Sequence, residues 1–314
     1  MKDKTKFNSA ANNSQGGFLN EGLWKIIITA IGIAVIGLTL AIAVFLAVKG
    51  SATFYKFHHS VFEFLFSSDW NPQDTEAGGG NVGALIFICG SLITCFLALA
   101  LVTPFSLSVA LFMTEISPRL GKRLIQPAVE MFVGIPSIIY GWVGYTVLCK
   151  WIKTVFPDKA PTGMSVLAGS IVLAVMIFPT ITTVAADAIR SVPSEYRKAA
   201  YALGSTRWQV LSSVVIPSAK QGLLTGIILG LSRAFGETLA VAFVIGRVRA
   251  FPTSILSPTY NMTAIIAGEM GDTMNGGEKN SALWTMALLL FIISMFFIIV
   301  IHRIGKGKKN EKKI

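Results

Sequence analysis

Five stretches of this sequence contain no Asp, Glu, Lys or Arg, and each is about as long as a bilayer span or longer. They run over 26–48, 77–114, 131–149, 160–186 and 280–302. About 20 apolar residues suffice for a helix that spans the hydrocarbon core. A sixth helix is predicted at about 221–246, where Arg233 and Glu237 interrupt apolar sequence. The chain is therefore expected to be an all-α integral membrane protein with six transmembrane helices.

Composition supports this assignment. The chain of 314 residues is 53% hydrophobic and 14% charged, whereas soluble domains carry about 25% charged residues. The stretch 77–114 exceeds one span and begins at Gly78 to Gly80, which favour a loop, so its helix is predicted from about Ala84 to Met113. The three cysteines lie in or beside membrane segments and imply neither a disulfide nor a metal framework.

The distribution of Lys and Arg predicts the orientation. With the N-terminus inside, the cytoplasmic segments contain 18 of these residues and the outer loops contain 8. Such an excess marks the cytoplasmic side. We therefore expect a multi-pass protein of the cell membrane with both termini in the cytoplasm and a basic tail near anionic lipid. A nucleic-acid partner is not expected, because the basic run directly follows a membrane span.

The sequence predicts one transmembrane core preceded by an extra helix and an external segment. The parts are a disordered cytoplasmic N-terminus at 1–22, a first transmembrane helix at 23–48, an external segment at 49–80, the core at 81–302 and the tail at 303–314. The external segment is rich in Phe, Tyr and Trp. This aromatic cluster fits either an interfacial belt or a contact surface for an external partner.

A polar island at 193–217 separates two apolar stretches. The Pro-Ser pair at 193–194 supplies a helix start and Gly204 a left-handed stop, which predicts a short helix over about 195–203. Small residues in the middle of one face allow another protein to approach closely. That face consists of Tyr196, Ala199, Ala200 and Leu203.

A second helix start follows at once. Thr206 and Gln209 have the spacing of a capping box, and Pro217 is expected to close or kink the helix that they begin. The island by itself is also consistent with an ordinary amphipathic loop helix.

The spacing of the island resembles the coupling signature of ABC importer permeases. That signature is Glu-Ala-Ala, three residues, Gly, nine residues, Ile, any residue, Leu-Pro. Here Lys198-Ala199-Ala200 precedes Gly204, and Val214, Ile216 and Pro217 follow at the same intervals, with Lys198 in place of the usual Glu. The resemblance implies a type I ABC importer permease (MetI-like) fold whose cytoplasmic coupling loop, 187–220, docks into an ATPase subunit. The implied coupling residues are Glu195, Lys198, Ala199, Ala200, Gly204 and Pro217.

The predicted helix at 221–246 carries the second signal. At 100° per residue, Arg233 and Glu237 project into the same arc as Gly222, Gly226 and Gly230. Small residues let neighbouring helices approach, so we expect this face to point into the protein or its cavity. The two charges are either a structural ion pair or elements of a substrate path, since charges within membrane spans usually mark such paths.

The run from Gly230 to Thr238 resembles the Arg-Ala-x-Gly-Glu-Thr motif of phosphate-specific (Pst) importer permeases. Two other stretches, 64–72 and 130–141, resemble the C-type permease of that importer, and 90–94 matches the start of the permease core. The resemblance implies that Arg233 and Glu237 lie on the path of inorganic phosphate. A guanidinium suits that role, because its planar fork of donors matches phosphate oxygens.

The same resemblance implies the partners. They are a second, A-type permease, a cytoplasmic ATPase dimer, an extracytoplasmic phosphate-binding protein and membrane lipid. The sequence has no G-x-x-x-x-G-K-[ST] phosphate loop, so we expect no enzymatic activity and no cofactor, with ATP bound by the partner ATPase. Transport of another oxyanion, such as sulfate or molybdate, is the nearest alternative. A secondary carrier or a membrane scaffold or sensor fits the docking island less well.

Overall fold

The structure, a computed structural model, describes the backbone of residues 5–306 and the side chains of 23–301 and Arg303. The chain divides into two compact units, 1–49 and 50–314. The helices are α1 Thr5–Tyr55, α2 Val61–Phe66, α3 Leu85–Leu111, α4 Pro118–Leu120, α5 Gln126–Gly134, α6 Ser137–Val143, α7 Lys150–Val155, α8 Val166–Arg190, α9 Ser194–Ala202, α10 Arg207–Val210, α11 Ile216–Gly236, α12 Leu239–Val244, α13 Met262–Glu269 and α14 Glu278–Lys306. Wider π turns connect several of them, at Phe112–Ile116, Gly121–Ile125, Gly144–Cys149 and Leu211–Val215.

Helix α1 begins earlier than the sequence predicts. Residues 1–22 were expected to be disordered, whereas the helix extends back to Thr5. Once an apolar span has nucleated a helix, adding further turns is much easier than starting one. Residues 1–4 and the tail from 307 onwards lie outside the described residues.

Six spans are present if one bent pair is counted. Five helices of the described part are long and apolar enough to cross a membrane. The predicted single span at 131–149 is instead two helical stretches, Pro118–Gly134 and Ser137–Val155, that meet at 93°. The cause is local, since Pro136 disfavours a helical conformation at Ile135, which is extended at φ −78° and ψ 125°.

Helix α8 forms the centre of the second unit and packs along both α3 and α11. The glycine face of α11 lies against it as the sequence predicts. Gly222, Gly226 and Gly230 oppose Ala188, Val184 and Ile181 in an antiparallel register. A Cβ added at Gly230 would lie 2.5 Å from the Cγ1 of Ile181, so these glycines set the close approach of the two helices.

The segment 49–80 packs into a core that it shares with α3, α13 and the start of α14. Phe64 and Trp70 are buried with Phe87, and Trp70–Asn71 (β1) pairs antiparallel with Asn81–Val82 (β2). The fully buried carboxylate of Glu278 accepts hydrogen bonds from the backbone N–H groups of Gln73, Gly79 and Gly80 and contacts His59 Nε2 at 2.8 Å. One carboxylate therefore fastens this segment to the last helix.

Candidate coupling loop and substrate path

The coupling loop contains the two short helices that its sequence predicts. Helix α9 covers Ser194–Ala202, close to the predicted 195–203, and Gly204 follows with φ +80°. Helix α10 begins after a complete capping box, in which Thr206 Oγ1 accepts from the Gln209 N–H and Gln209 Oε1 accepts from the Thr206 N–H. The helix does not end at Pro217. The π turn at Leu211–Val215 precedes this proline, and Pro217 then lies in the first turn of α11, where its missing N–H is tolerated.

An ion pair fixes α9 to the end of α3. Arg197 donates through Nε at 3.0 Å and Nη2 at 2.5 Å to Glu115 Oε1, and both side chains are largely buried. The same guanidinium donates to the carbonyls of Val192 and Ile189. Arg207 Nη2 donates to the backbone carbonyl of Glu115 at 3.2 Å. Both helices of the loop are thus anchored at Glu115, in the π turn that follows α3.

The outward surface of the loop carries four large apolar or aromatic side chains. Leu203 is 87% exposed and Trp208 is 72% exposed, and Tyr196 and Tyr201 are about half exposed. A patch of this kind on a protein surface usually marks a contact with a partner. Of the predicted contact face, Tyr196, Ala199 and Leu203 point outward. Ala200 does not, because it is buried in the core cluster that contains Val210 and Val215.

The two polar residues that are predicted to take part in coupling are exposed on α9. Lys198 points outward, and Glu195 lies in the first turn of the helix. Hydrogen bonds from its own backbone N–H and from the Ser194 hydroxyl lower the pKa of Glu195 below its usual value. Glu195 is therefore a stable anion at the positive end of the α9 dipole at neutral pH.

Replacing Gly204 by valine is expected to reduce ATPase association, whereas asparagine at this position is expected to be tolerated. No atom lies within 4 Å of an added Cβ, so the cost arises from backbone strain at φ +80°, about 1–3 kcal/mol. Asparagine adopts this conformation far more readily than a β-branched residue. The measurement is co-purification of the ATPase with matched amounts of folded protein. Equal association of the two variants would contradict the role of Gly204.

Helix α11 ends at Gly236, and this corrects the prediction of a continuous helix through 246. Glu237 is extended at φ −75° and ψ 128°, and α12 begins only at Leu239. The Thr263 hydroxyl donates to the Glu237 carbonyl at 2.8 Å, and the Ala240 N–H donates to Glu237 Oε1 at 3.4 Å. These contacts satisfy the backbone and side chain of Glu237 where the helix stops.

Arg233 and Glu237 therefore do not share one helix face. Within the described side chains, Arg233 does not pair with Glu237, and its Nη1 donates to Thr180 Oγ1 of α8 at 3.0 Å. Arg233 is exposed and precedes the break at 237–238 by about one turn. Across the bend between α5 and α6, at 135–136, the Tyr140 hydroxyl donates to the Phe132 carbonyl.

Irregular backbone within a membrane protein is tolerated where it is buried in protein or borders a water-filled cavity. The two breaks are adjacent, because α6 packs on α12 and a Cβ added at Gly141 would lie 2.8 Å from the Cα of Ala240. An exposed cation beside two broken helices has the chemistry of an anion path.

Sequence reasoning missed Glu115, Arg197 and Thr180. Each acts through a partner more than 50 positions away, which no local spacing reveals. The one available signal was the polar character of Thr180 beside Pro179 inside an apolar span.

The range 103–309 matches the family described as the binding-protein-dependent transport system inner membrane component. The match includes the coupling loop and both helix breaks. The chain belongs to this family. It is accordingly a multi-pass permease of the inner-membrane type, and the predicted ABC permease fold is confirmed.

Relatives of this permease extend over most of its length. It is 42% identical over 298 residues to the probable ABC transporter permease protein YqgH of Bacillus subtilis (strain 168), covering 95% of each chain. It is 39% identical over 250 residues to the phosphate transport system permease protein PstC of Pasteurella multocida (strain Pm70), covering 74% of this chain and 76% of that one. The PstC protein of Haemophilus influenzae (strain ATCC 51907 / DSM 11121 / KW20 / Rd) is 35% identical over 310 residues, covering 93% and 95%.

A solved structure has the same fold. The inward-facing MetNI methionine ABC transporter superposes with a TM-score of 0.50 at 18% identity, covering 70% of this permease and 96% of that chain. This likeness concerns the fold alone.

Proposed function

We propose that this permease is a transmembrane subunit of an ATP-driven importer for inorganic phosphate. The observation that carries the proposal is the exposed guanidinium of Arg233 beside two helix breaks, in a chain whose relatives include phosphate transport permeases. Thr180, its partner, lies about 21 Å along α8 from Val166 and about 15 Å from Arg190. The guanidinium is thus positioned well inside the span.

The chemistry of the site favours an oxyanion. Arg has five N–H donors, and one of them is used by Thr180, so four have no acceptor in the described part of the chain. A guanidinium binds phosphate oxygens through two parallel hydrogen bonds. Among the described side chains Arg233 makes no ion pair with Glu237, whose carboxylate accepts from the Ala240 N–H, so the guanidinium remains available to an anion.

The remaining parts of the importer are proposed as separate subunits. Arg233 is open on one side, which suits a path completed by a second, A-type permease. The exposed face formed by Tyr196, Leu203 and Trp208 suits docking to a cytoplasmic ATPase dimer that binds ATP. A phosphate-binding protein is expected on the outer side. This arrangement requires both termini and the coupling loop on the cytoplasmic side, as the Lys and Arg distribution predicts.

Reconstitution tests the proposal directly. Proteoliposomes that contain both permeases and the ATPase, supplied with the binding protein, are expected to accumulate labelled phosphate only when ATP is present. Unlabelled phosphate should compete fully, and a tenfold excess of sulfate should not. Competition by sulfate equal to that by phosphate would assign another oxyanion, and uptake without ATP would contradict the coupled mechanism.

A further inference from the structure

The contact between Arg233 and Thr180 is the only protein hydrogen bond of this guanidinium in the described residues. An arginine side chain carries about 2 kcal/mol of rotamer entropy. If the guanidinium were held only by substrate, that freedom would be lost at each binding event. A partner that orients the side chain beforehand reduces this loss.

We propose that Thr180 is a positioning residue for Arg233, and that its hydroxyl holds one edge of the guanidinium so that the remaining donors face the anion. This inference rests on the proposed function. Thr180 is suited to the task, because a threonine in a helix is restricted to two χ1 rotamers. In the rotamer present here its oxygen faces Arg233. Oγ1 accepts from Nη1 at 3.0 Å, a normal hydrogen-bond distance.

The glycine face of α11 brings the two residues together. Gly230 is one turn before Arg233, and it faces Ile181, the residue next to Thr180. Since a Cβ at residue 230 would overlap the Ile181 side chain, a larger residue there would force α8 and α11 apart. The register of α8 against α11 that packs Ile181 on Gly230 also places the Thr180 hydroxyl within hydrogen-bond distance of Arg233. Packing and substrate chemistry are thus connected through one helix contact.

The hydrogen bond gives Thr180 a role that acts through Arg233. Its hydroxyl oxygen accepts from Nη1, and the side chain is only partly exposed. Loss of this hydroxyl is expected to weaken phosphate binding without removing the charge that attracts the anion. Such a variant should therefore need a higher phosphate concentration for half-maximal uptake, while its maximal uptake rate should change less.

The test compares Thr180→Val, Thr180→Ser and Thr103→Val in the reconstituted complex. Thr103 is a matched control, because its hydroxyl donates to the Leu99 carbonyl of its own helix. Thr180→Val keeps the shape of the side chain and removes the acceptor. It is expected to raise the phosphate concentration for half-maximal uptake about tenfold, the effect of one hydrogen bond to a charged group. Thr180→Ser should restore most of the wild-type value, and Thr103→Val should match wild type.

A second background distinguishes positioning from folding. In an Arg233→Gln background, Thr180→Val is expected to have little further effect on half-saturation, because the group that it positions is absent. A full and additive effect there overturns the inference. Equal half-saturation of Thr180→Val and Thr103→Val also overturns it, while ATP-driven uptake by the wild-type complex leaves the proposed function intact. Absence of phosphate uptake by the wild-type complex overturns both.

Discussion

Replacing Arg233 by glutamine is expected to lower phosphate uptake per assembled complex by about 100-fold. The variant loses two charge-assisted hydrogen bonds to the anion, each contributing about 1.5 kcal/mol or more, and 1.4 kcal/mol corresponds to a factor of ten. Assembly should be affected little, because the Arg233 side chain is exposed and has one hydrogen-bond partner among the described residues. Uptake is measured against the amount of complex recovered by co-purification.

Arg249→Gln is the matched control for this variant. Arg249 pairs with Glu269, and Glu269 retains Lys279 as a second partner at 3.1 Å when Arg249 is removed. The substitution is chemically identical to Arg233→Gln and lies away from the helix breaks. Comparable loss in both variants would indicate a general effect of charge and would contradict a specific path through Arg233.

The structure also decides how the double variant should behave. If Arg233 and Glu237 formed a structural ion pair, replacing both by glutamine would largely restore transport. Because Arg233 bonds to Thr180, and Glu237 accepts from the N–H of Ala240, the double variant is expected to be as impaired as Arg233→Gln. Recovery of transport in the double variant would show that the charges act as a pair.

Replacing Glu115 by glutamine is expected to weaken ATPase association by at least tenfold. The carboxylate holds Arg197 by two hydrogen bonds in a largely buried site. Removal of one partner leaves a buried guanidinium without its counter-charge, at a cost of about 2 kcal/mol after allowance for partial exposure. The loop would then lose its fixed position on α3. Association is measured by binding of the purified ATPase to the permease pair in nanodiscs.

Asp187→Asn controls for a general effect of acidic residues at this end of the protein. Asp187 and Arg190 form a pair at 3.4 Å in which both side chains are well exposed, and exposed pairs contribute little. This variant should bind the ATPase normally. Arg197→Lys is expected to resemble Glu115→Gln, because lysine cannot reproduce the fork that reaches Glu115, Val192 and Ile189 together. Normal ATPase binding by Glu115→Gln would contradict the anchoring role of the ion pair.

The positions of the spans were predictable because the length of an uncharged stretch is set by bilayer thickness. The predicted helix from Ala84 to Met113 differs from Leu85–Leu111 only at its ends. The bend at Ile135 is indicated in the sequence by Pro136. The end of α11 at Gly236 is indicated only by the glycine itself, since Gly-Glu-Thr contains no proline and the apolar sequence continues. A hydroxyl from Thr263, 26 residues later, supports that break.

For the candidate site, too, the sequence predicted the local features but not the long-range contacts. Local spacing located the two loop helices, because capping boxes and left-handed glycines act within one turn. It also located Arg233 as a charge in an apolar segment. It gave the wrong neighbour for Arg233, since an i, i+4 relation holds only while the helix continues. The actual partner, Thr180, is set by the antiparallel packing of α8 and α11, which depends on contacts 53 residues apart.

The hydrogen bonds between Glu278 and the segment 49–80 affect the order in which parts of the protein fold during synthesis. Its backbone donors at Gly79 and Gln73 precede the carboxylate by 199 and 205 residues. At about 5–20 residues per second, the ribosome delivers Glu278 about 10–40 s after these donors. Until then the N–H groups of Gly79 and Gly80 lack the acceptor that holds them in the finished protein. The contacts of the segment 49–80 that depend on Glu278 therefore form only after the last helix has been synthesised.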